Sequence, residues 1–356
     1  MSFLFWYRML VVGLMVLPVG GYAQGSIARL LLVEYEAGRF SGTVLVAHEG
    51  RPTTRISYGL ANRQFAVPIG PDTRFPIASL SKTFTAILVL QLVEQNQLRL
   101  SSKVAAYLPE LPVNCQYITL LDLLTHHSGL RNEPQDAYAA PYSPAQYVSR
   151  FVRRDEARRP GTFHYNNVDY VVLTRVLEVV TQQPFARLLQ ARIFTPLGMH
   201  DSGVVQEERV IPRLVYGYHN YTFGAGTTRD TLRNDAPRYL SNYAGAGALY
   251  STAADLLRLT EALRHHTLLS AATTAALVRQ PQQSAFIDYA RGYPTIGFYY
   301  NDKTLPRPVL ERRGSIEGFN SVLLTDPEFR RVVLILTNTD AADLEVLADK
   351  IYKAAR

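Results

Sequence analysis

The chain holds a single cysteine, Cys115, among 356 residues. One thiol cannot close an internal disulfide, so the fold must be stabilised by packing alone. Metal-ligating side chains are also sparse. The eight histidines include the adjacent pairs His126-His127 and His265-His266, and neighbours on a helix or strand point to different faces. No metal site and no cofactor are predicted. No repeat of fixed period and no low-complexity tract is present, which excludes solenoids and mainly disordered architectures. Runs of one charge are missing too. The formal net charge is +7, but basic residues cluster only as the pairs Arg153-Arg154, Arg158-Arg159, Arg312-Arg313 and Arg330-Arg331. Nucleic-acid binding calls for a basic stripe; this pattern predicts only a mildly basic surface, suited to anionic substrates or an anionic cell envelope.

A long apolar run occurs once, at the start. Arg8 precedes the apolar residues 9–19, followed by Gly20-Gly21-Tyr22-Ala23. Gly21 and Ala23 stand where a signal peptidase needs small residues, so 1–23 is predicted to be a signal peptide cleaved before Gln24. Arg8 and Pro18 argue against an uncleaved anchor. No cysteine lies near the cleavage site, so a lipoprotein is not expected. No later segment is long and apolar enough to span a bilayer. The expectation is a periplasmic or secreted protein with no stable membrane span after leader removal.

Beyond the leader, Ile27, Leu30, Leu31 and Tyr35 recur at helical spacing. Residues 40–47 and 54–61 read as strands, with His48-Glu49-Gly50-Arg51 as the hairpin turn. Residues 83–93 are almost wholly apolar and lack glycine and proline, which predicts a helix buried on most sides. From about 100 to 249, short helical stretches alternate with loops marked by Pro109, Pro112, Pro134, Pro141, Pro160-Gly161 and Pro196. Strands return at 309–313, 319–325 and 332–337, and Leu344, Leu347, Ile351 and Ala355 share a face of a closing helix. The expected fold is α+β: an antiparallel sheet flanked by helices, built from 24–99 and 250–356, with 100–249 as a mainly helical second lobe. A cleft between such lobes is a common place for a site.

Phe75-Pro76-Ile77-Ala78-Ser79-Leu80-Ser81-Lys82 opens the buried helix. Ser79 and Lys82 are three residues apart, which puts both side chains on one face, one turn apart. A serine hydroxyl attacks a carbonyl only once a base takes its proton. A lysine supplies that base when burial or a neighbouring cation lowers its pKa from about 10.4. A helix-capping serine followed by a solvated lysine would spell the same pattern, but S-x-x-K occurs once here, and the apolar helix behind it leaves Lys82 little solvent on that side.

Several further stretches, in order, carry a resemblance. They are Phe40-Ser41-Gly42-Thr43-Val44-Leu45-Val46-Ala47, the Ser79 segment, Leu123-Leu124-Thr125-His126-His127-Ser128-Gly129-Leu130, Pro160-Gly161-Thr162-Phe163-His164-Tyr165-Asn166-Asn167 and Gly245-Ala246-Gly247-Ala248-Leu249-Tyr250-Ser251-Thr252. From about Phe40 to Asn338 the chain resembles the β-lactamase-related serine hydrolases, which include class C β-lactamases, D-alanyl-D-alanine carboxypeptidases, D-aminopeptidases and esterases. The resemblance implies that Ser79 is the nucleophile and that Lys82 and Tyr165 move its proton. It implies that Asn167 of the Tyr-x-Asn motif holds the substrate amide and orients Lys82. Tyr218-His219-Asn220 and Tyr299-Tyr300-Asn301 also spell that motif but lack the Pro-Gly lead-in. The family's third motif, a Lys- or His-led triplet ending in glycine, is matched by Arg312-Arg313-Gly314. Strand alternation puts Arg312 and Gly314 on one face and Arg313 on the other; a slip of one residue would reverse this. Arginine departs from the family pattern. It keeps the charge and offers a bidentate clamp for a carboxylate, but it does not donate a proton at working pH. By resemblance, the backbone N–H groups of Ser79 and Ser315 form the oxyanion hole. His127-Ser128-Gly129 also spells the third motif, but it precedes Tyr165 and reads as structural.

The expected function is an exported acyl-enzyme hydrolase. Its partner would be a small-molecule or peptide substrate, of amide, ester or β-lactam type and carboxylate-bearing if Arg312 is a clamp. The altered third motif leaves a second reading, a non-catalytic penicillin-binding-protein-like protein of the cell envelope.

Overall fold

The computed structural model describes residues 21–219, 221–222, 226–227, 232–234, 238–279, 284–316 and 318–355. Residues 1–20, most of the expected signal peptide, lie outside them. Helix α1, Gly21–Glu36, leads into the hairpin β1, Gly42–His48, and β2, Arg51–Tyr58. Helix α2 is Ser81–Glu94, α3 is Asn167–Thr181 and α4 is Ala253–Arg264. The chain then returns to the sheet as β3, Tyr293–Pro294; β4, Tyr299–Asn301; β5, Val309–Ile316; β6, Phe319–Thr325; and β7, Arg331–Thr337. Helix α5, Leu344–Ala354, closes it.

The seven strands form one sheet in the order β3-β4-β5-β6-β7-β1-β2, antiparallel throughout. Its two ends thus come from opposite ends of the chain, joined where β1 pairs with β7. The central strands read as unbroken apolar runs because both faces are covered. Val44, Val46, Val322, Leu324, Val333 and Ile335 face α1 and α5, where Ile27, Leu31, Leu347 and Ile351 meet them. Leu45, Leu323, Leu334 and Leu336 point the other way, into the core shared with α2, α3 and α4. Successive side chains of a strand alternate faces, so a sheet covered on both sides needs apolar residues at every position.

Helix α2 is the centre of that second core. Eleven of its fourteen residues, from Ser81 to Leu92, are buried, so an apolar pattern on all sides is what its position requires. The 100–249 region holds short helices, as its punctuation predicts. It also contributes two-residue strands missed from sequence: Gly203–Val204 pairs with Leu249–Ser251, which pairs in turn with Phe75–Pro76. That small sheet ties the segment before Ser79 to the segment after Gly245. Strand boundaries differ modestly from expectation. The expected strand 54–61 splits into β2 and Leu60–Asn62, and β5 continues past Arg313 to Ile316. Among the described residues, no helix is long and apolar enough to cross a membrane.

Candidate active site

Ser79 sits in a single 3-10 turn, Ala78–Leu80, between the Phe75–Pro76 strand and α2. Ala78 has φ 46°, a left-handed conformation that costs an L-residue about 1–2 kcal/mol. The strained residue lies just before the serine, as tertiary contacts on both sides hold the turn. Ser321 Oγ donates to Ile77 O at 2.7 Å, and Ile77 N donates to Leu249 O at 2.9 Å.

Lys82, one turn on, is fully buried. Its Nζ lies 3.1 Å from Ser79 Oγ, 2.8 Å from Asn167 Oδ1 and 2.7 Å from the Ala246 carbonyl. The Ala246 carbonyl is held there by its neighbours: Thr85 Oγ1 donates to Gly245 O at 2.8 Å, and Gly245 N donates to Thr174 Oγ1 at 2.9 Å. A Cβ on Gly245 would lie 2.3 Å from Thr85 Oγ1 and 2.5 Å from Thr174 Oγ1, so glycine is needed where this segment presses against α2 and α3. Burial, and secondarily the Arg312 guanidinium, push the Lys82 amine well below its ordinary pKa, against a smaller opposing pull from Glu133 and Asp169.

Tyr165 Oη donates to Ser79 Oγ at 2.6 Å. Burial raises the phenol's pKa, while Arg312 and the bond to Ser79 pull it down. The spacing of Tyr165-Asn166-Asn167 has a local cause. Asn166 is extended (φ −147°, ψ 127°) and caps α3, its side chain accepting from Val168 N. Its Nδ2 donates to Leu130 O at 2.6 Å, turning Asn166 away. Residues on either side of an extended one point together, so Tyr165 and Asn167 both reach Lys82. Of the other two Tyr-x-Asn sequences, Tyr218 bonds to Gln64 and Arg63 N instead, and Asn220 lies outside the described residues. Tyr299 lines the cleft as a wall.

Strand β5 faces the serine in the expected register. Arg312 is buried, and its Nε donates to Ser79 O at 3.2 Å. Its Nη2 is buried with no hydrogen-bond partner among the described residues. Arg313 points to the other face, pairing with Glu311 at 2.7 Å and with Glu345 of α5. Ser315 and Gly314 line the same cleft of about 420 Å³ as Ser79, Tyr165, Tyr299 and Arg312. Gly314 is pressed against the turn that carries Ser79. A Cβ there would stand 2.2 Å from Ile77 O and 2.9 Å from Ser79 N. Gly314→Ala is therefore expected to cost about 1–3 kcal/mol of stability, as overpacking does, and to lower activity by more than about tenfold through displacement of a reacting group. Urea denaturation and steady-state rates check both; an unchanged variant would mean that β5 is free to retreat.

Several neighbours of the site carry no sequence signature. Asn167 Nδ2 donates to Glu133 Oε1 at 2.7 Å, and Asn167 N donates to Asn132 Oδ1 at 3.2 Å. Behind Tyr165, Asp169 lies 2.9 Å from His126 Nδ1 and accepts from Ser128 Oγ at 2.5 Å. The His126 ring lies 4.7 Å from that of Tyr165, and its Nδ1 accepts from Asn166 N at 3.3 Å. Residues 126–128 thus clamp the Tyr165 segment from behind, which is the structural part that His127-Ser128-Gly129 plays. Among the described residues, no group of three or more His, Cys, Asp or Glu side chains is arranged to hold a metal ion.

A family model described as Beta-lactamase matches residues 28–356. PbpX of Bacillus subtilis (strain 168), named as a penicillin-binding protein, is 28% identical over 316 residues, covering 88% of this chain and 75% of its own. The teichoic acid D-alanine hydrolase of Staphylococcus aureus is 27% identical over 301 residues, covering 79% of this chain and 73% of its own. The D-amino acid amidase of Ochrobactrum anthropi SV3, solved with D-phenylalanine, superposes with a TM-score of 0.81 over 93% of this chain and 98% of that one, at 22% identity. That last likeness is one of fold.

Proposed function

Because this chain belongs to the Beta-lactamase family and is a serine hydrolase of that type, we propose that Ser79 is its nucleophile and that it works through a covalent acyl-enzyme. The observation that carries this reading is the pair of contacts on one oxygen: Ser79 Oγ has Lys82 Nζ at 3.1 Å and Tyr165 Oη at 2.6 Å. A neutral lysine amine has two N–H donors and one lone pair. Asn167 Oδ1 and Ala246 O take the two donors, which leaves the lone pair for the serine proton. Burial and the Arg312 guanidinium favour that neutral form.

In the proposed cycle, Ser79 Oγ attacks the substrate carbonyl as its proton passes to Lys82. The carbonyl oxygen, now negative, lies against the backbone N–H groups of Ser79 and Ser315. Such donors contribute a few kcal/mol each. Tyr165 protonates the leaving group and is reprotonated from Lys82. Water then cleaves the acyl-enzyme by the reverse proton path. Asn167 holds the substrate amide and Lys82 together. The substrate class is amides and esters, β-lactams included; the named activity of the teichoic acid D-alanine hydrolase favours acyl groups derived from D-amino acids. We further read the chain as exported, with 24–99 and 250–356 forming the sheet lobe and 100–249 the second lobe of one catalytic unit.

Arg312 is proposed to bind a substrate carboxylate through its free Nη2. Arg312→Gln is expected to lower kcat/KM about 10- to 100-fold for substrates with a free carboxylate and far less for uncharged ones. Because Arg312 lowers the Lys82 pKa, its removal should also move the acid limb of the pH–rate profile upward. Equal losses on both substrate types would refute the clamp. The nucleophile itself is tested by intact-mass spectrometry after fluorophosphonate treatment. One adduct is expected on the folded protein; no adduct would favour the non-catalytic reading.

A further inference from the structure

Three consecutive residues of the segment that presents Tyr165 rest on His126. His164 N donates to His126 O at 2.8 Å, the Tyr165 ring packs against the His126 ring, and Asn166 N donates to His126 Nδ1 at 3.3 Å. His126 holds φ 61°, a left-handed conformation that an L-residue keeps only where its surroundings fix it. Asp169, in the first turn of α3, fixes the ring. Its Oδ2 lies 2.9 Å from His126 Nδ1, and its Oδ1 accepts from Ser128 Oγ. These side chains are closed off from water: His126 is 3% exposed, Ser128 2% and Asp169 0%.

The hydrogens of this cluster can be counted. Asn166 N–H can only donate, so Nδ1 must offer its lone pair. A hydrogen on Nδ1, in a neutral or a charged ring, would set two N–H groups against each other in a buried place. The proton between Nδ1 and Asp169 Oδ2 therefore belongs to the carboxyl, which donates to the lone pair that Asn166 N–H shares at its longer distance. The ring's own proton is then on Nε2, which is buried without a hydrogen-bond partner among the described residues. The ring is packed among Phe163, Tyr165 and Tyr170, and aromatic faces attract an N–H but not a lone pair. Burial acts in the same direction. It pushes the Asp169 carboxyl well above its ordinary pKa, against smaller pulls from Ser128 and Lys82, and the His126 imidazole well below its own. The charged and titratable groups around the ring are Lys82 of α2, Arg312 of β5, His127 and His164; Asp122 and Glu133 act on the carboxyl.

We propose that Asp169 is a positioning residue that acts as a neutral acid: its carboxyl donates to His126 Nδ1, and the uncharged pair holds Tyr165 and Asn167 in place without setting an anion behind them. The proposal rests on the acyl-enzyme reading above. An Asp169 carboxylate would raise the pKa of both Lys82 and Tyr165, which would hold the base protonated and make the phenol a poorer proton donor. The protonated carboxyl fills the same two hydrogen-bond positions, to His126 and to Ser128, and that pull on Lys82 disappears.

The test compares Asp169→Ala with Asp169→Asn. An asparagine matches the protonated carboxyl, with an N–H for Nδ1 and an oxygen for Ser128 Oγ, and does not match the carboxylate. Asp169→Ala is expected to slow fluorophosphonate labelling of Ser79 by at least about tenfold, as misplaced reacting groups do, and Asp169→Asn to recover most of that loss. In the asparagine variant the acid limb of the labelling rate against pH should keep its midpoint. Had Asp169 been an anion, its removal would lower the Lys82 pKa and move that limb to lower pH. Infrared difference spectra at neutral pH, wild type minus asparagine variant, should show the C=O stretch of a protonated carboxyl and no carboxylate band. A limb that moves down, a carboxylate band in its place, or an alanine variant that labels at the wild-type rate would overturn the proposal. Should the alanine variant fail to fold by circular dichroism, the limb and the spectrum of the asparagine variant decide. Absence of labelling on the wild type would remove the acyl-enzyme reading, whereas the infrared difference fixes the proton's place independently of it.

Discussion

Ser79→Ala should lose roughly 10⁴-fold or more in kcat/KM, and all fluorophosphonate labelling, while unfolding within about 1 kcal/mol of the wild type. The activity loss follows from the absence of any other hydroxyl between Tyr165 and Lys82 in the described contacts. The small stability effect follows from where the hydroxyl sits. It lines an open cleft, so water can replace it as a partner for Tyr165 Oη. Intact mass and urea denaturation, run on one preparation, decide both halves. Labelling that persists in the variant would put the nucleophile elsewhere. A variant that unfolds early would make Ser79 part of the structure rather than the chemistry.

Lys82→Met should also lose about 10²–10⁴-fold or more, the range for removing a general base. Its effect on stability depends on pH in a direction that can be worked out. Burial and Arg312 hold the Lys82 pKa well below its ordinary value in the folded protein, whereas in the unfolded chain it is about 10.4. Between those two values the unfolded state binds the extra proton. Stability therefore rises with pH there, by at most about 1.36 kcal/mol per pH unit. The neutral amine is fully compatible with the fold only above about pH 10.4; at lower pH, down to the depressed folded value, the lysine penalises the native state. Methionine carries no such penalty, though it leaves Asn167 Oδ1 and Ala246 O without the donor they now have. Relative to Lys82→Met, the wild type should gain stability steadily from neutral pH toward pH 10. Denaturant titrations of both proteins across that range measure it, and parallel curves would show that Lys82 is protonated in the folded state.

Much of this could be read along the chain, for identifiable reasons. The S-x-x-K spacing is local: whatever else happens, residues three apart near a helix start share a face, and Lys82 Nζ lies 3.1 Å from Ser79 Oγ. The apolar residues 83–93 could only be a helix with core on most sides, and α2 is one. The alternation of β5 put Arg312 and Gly314 together and Arg313 opposite. The expected antiparallel sheet drawn from both ends of the chain is present, because strands with apolar residues at consecutive positions must be covered on two faces.

Other features had no local signal. Glu133 meets Asn167 across 34 residues, and Asp169 meets His126 across 43. Neither pair has a spacing that any helix or strand period would single out. The Ala246 carbonyl reaches Lys82 across 164 residues, next to a glycine that only the packing of its segment on α2 and α3 explains. Motif spacing and apolar period were enough to bring Ser79 and Lys82 onto one face and to sort Arg312 from Arg313, since each depends on residues within a turn or a strand of one another. Which groups depress the lysine's pKa, which carbonyl holds it and which carboxylate lies beyond it were decided only by tertiary structure, because burial and electrostatics depend on what the whole fold brings within a few ångströms.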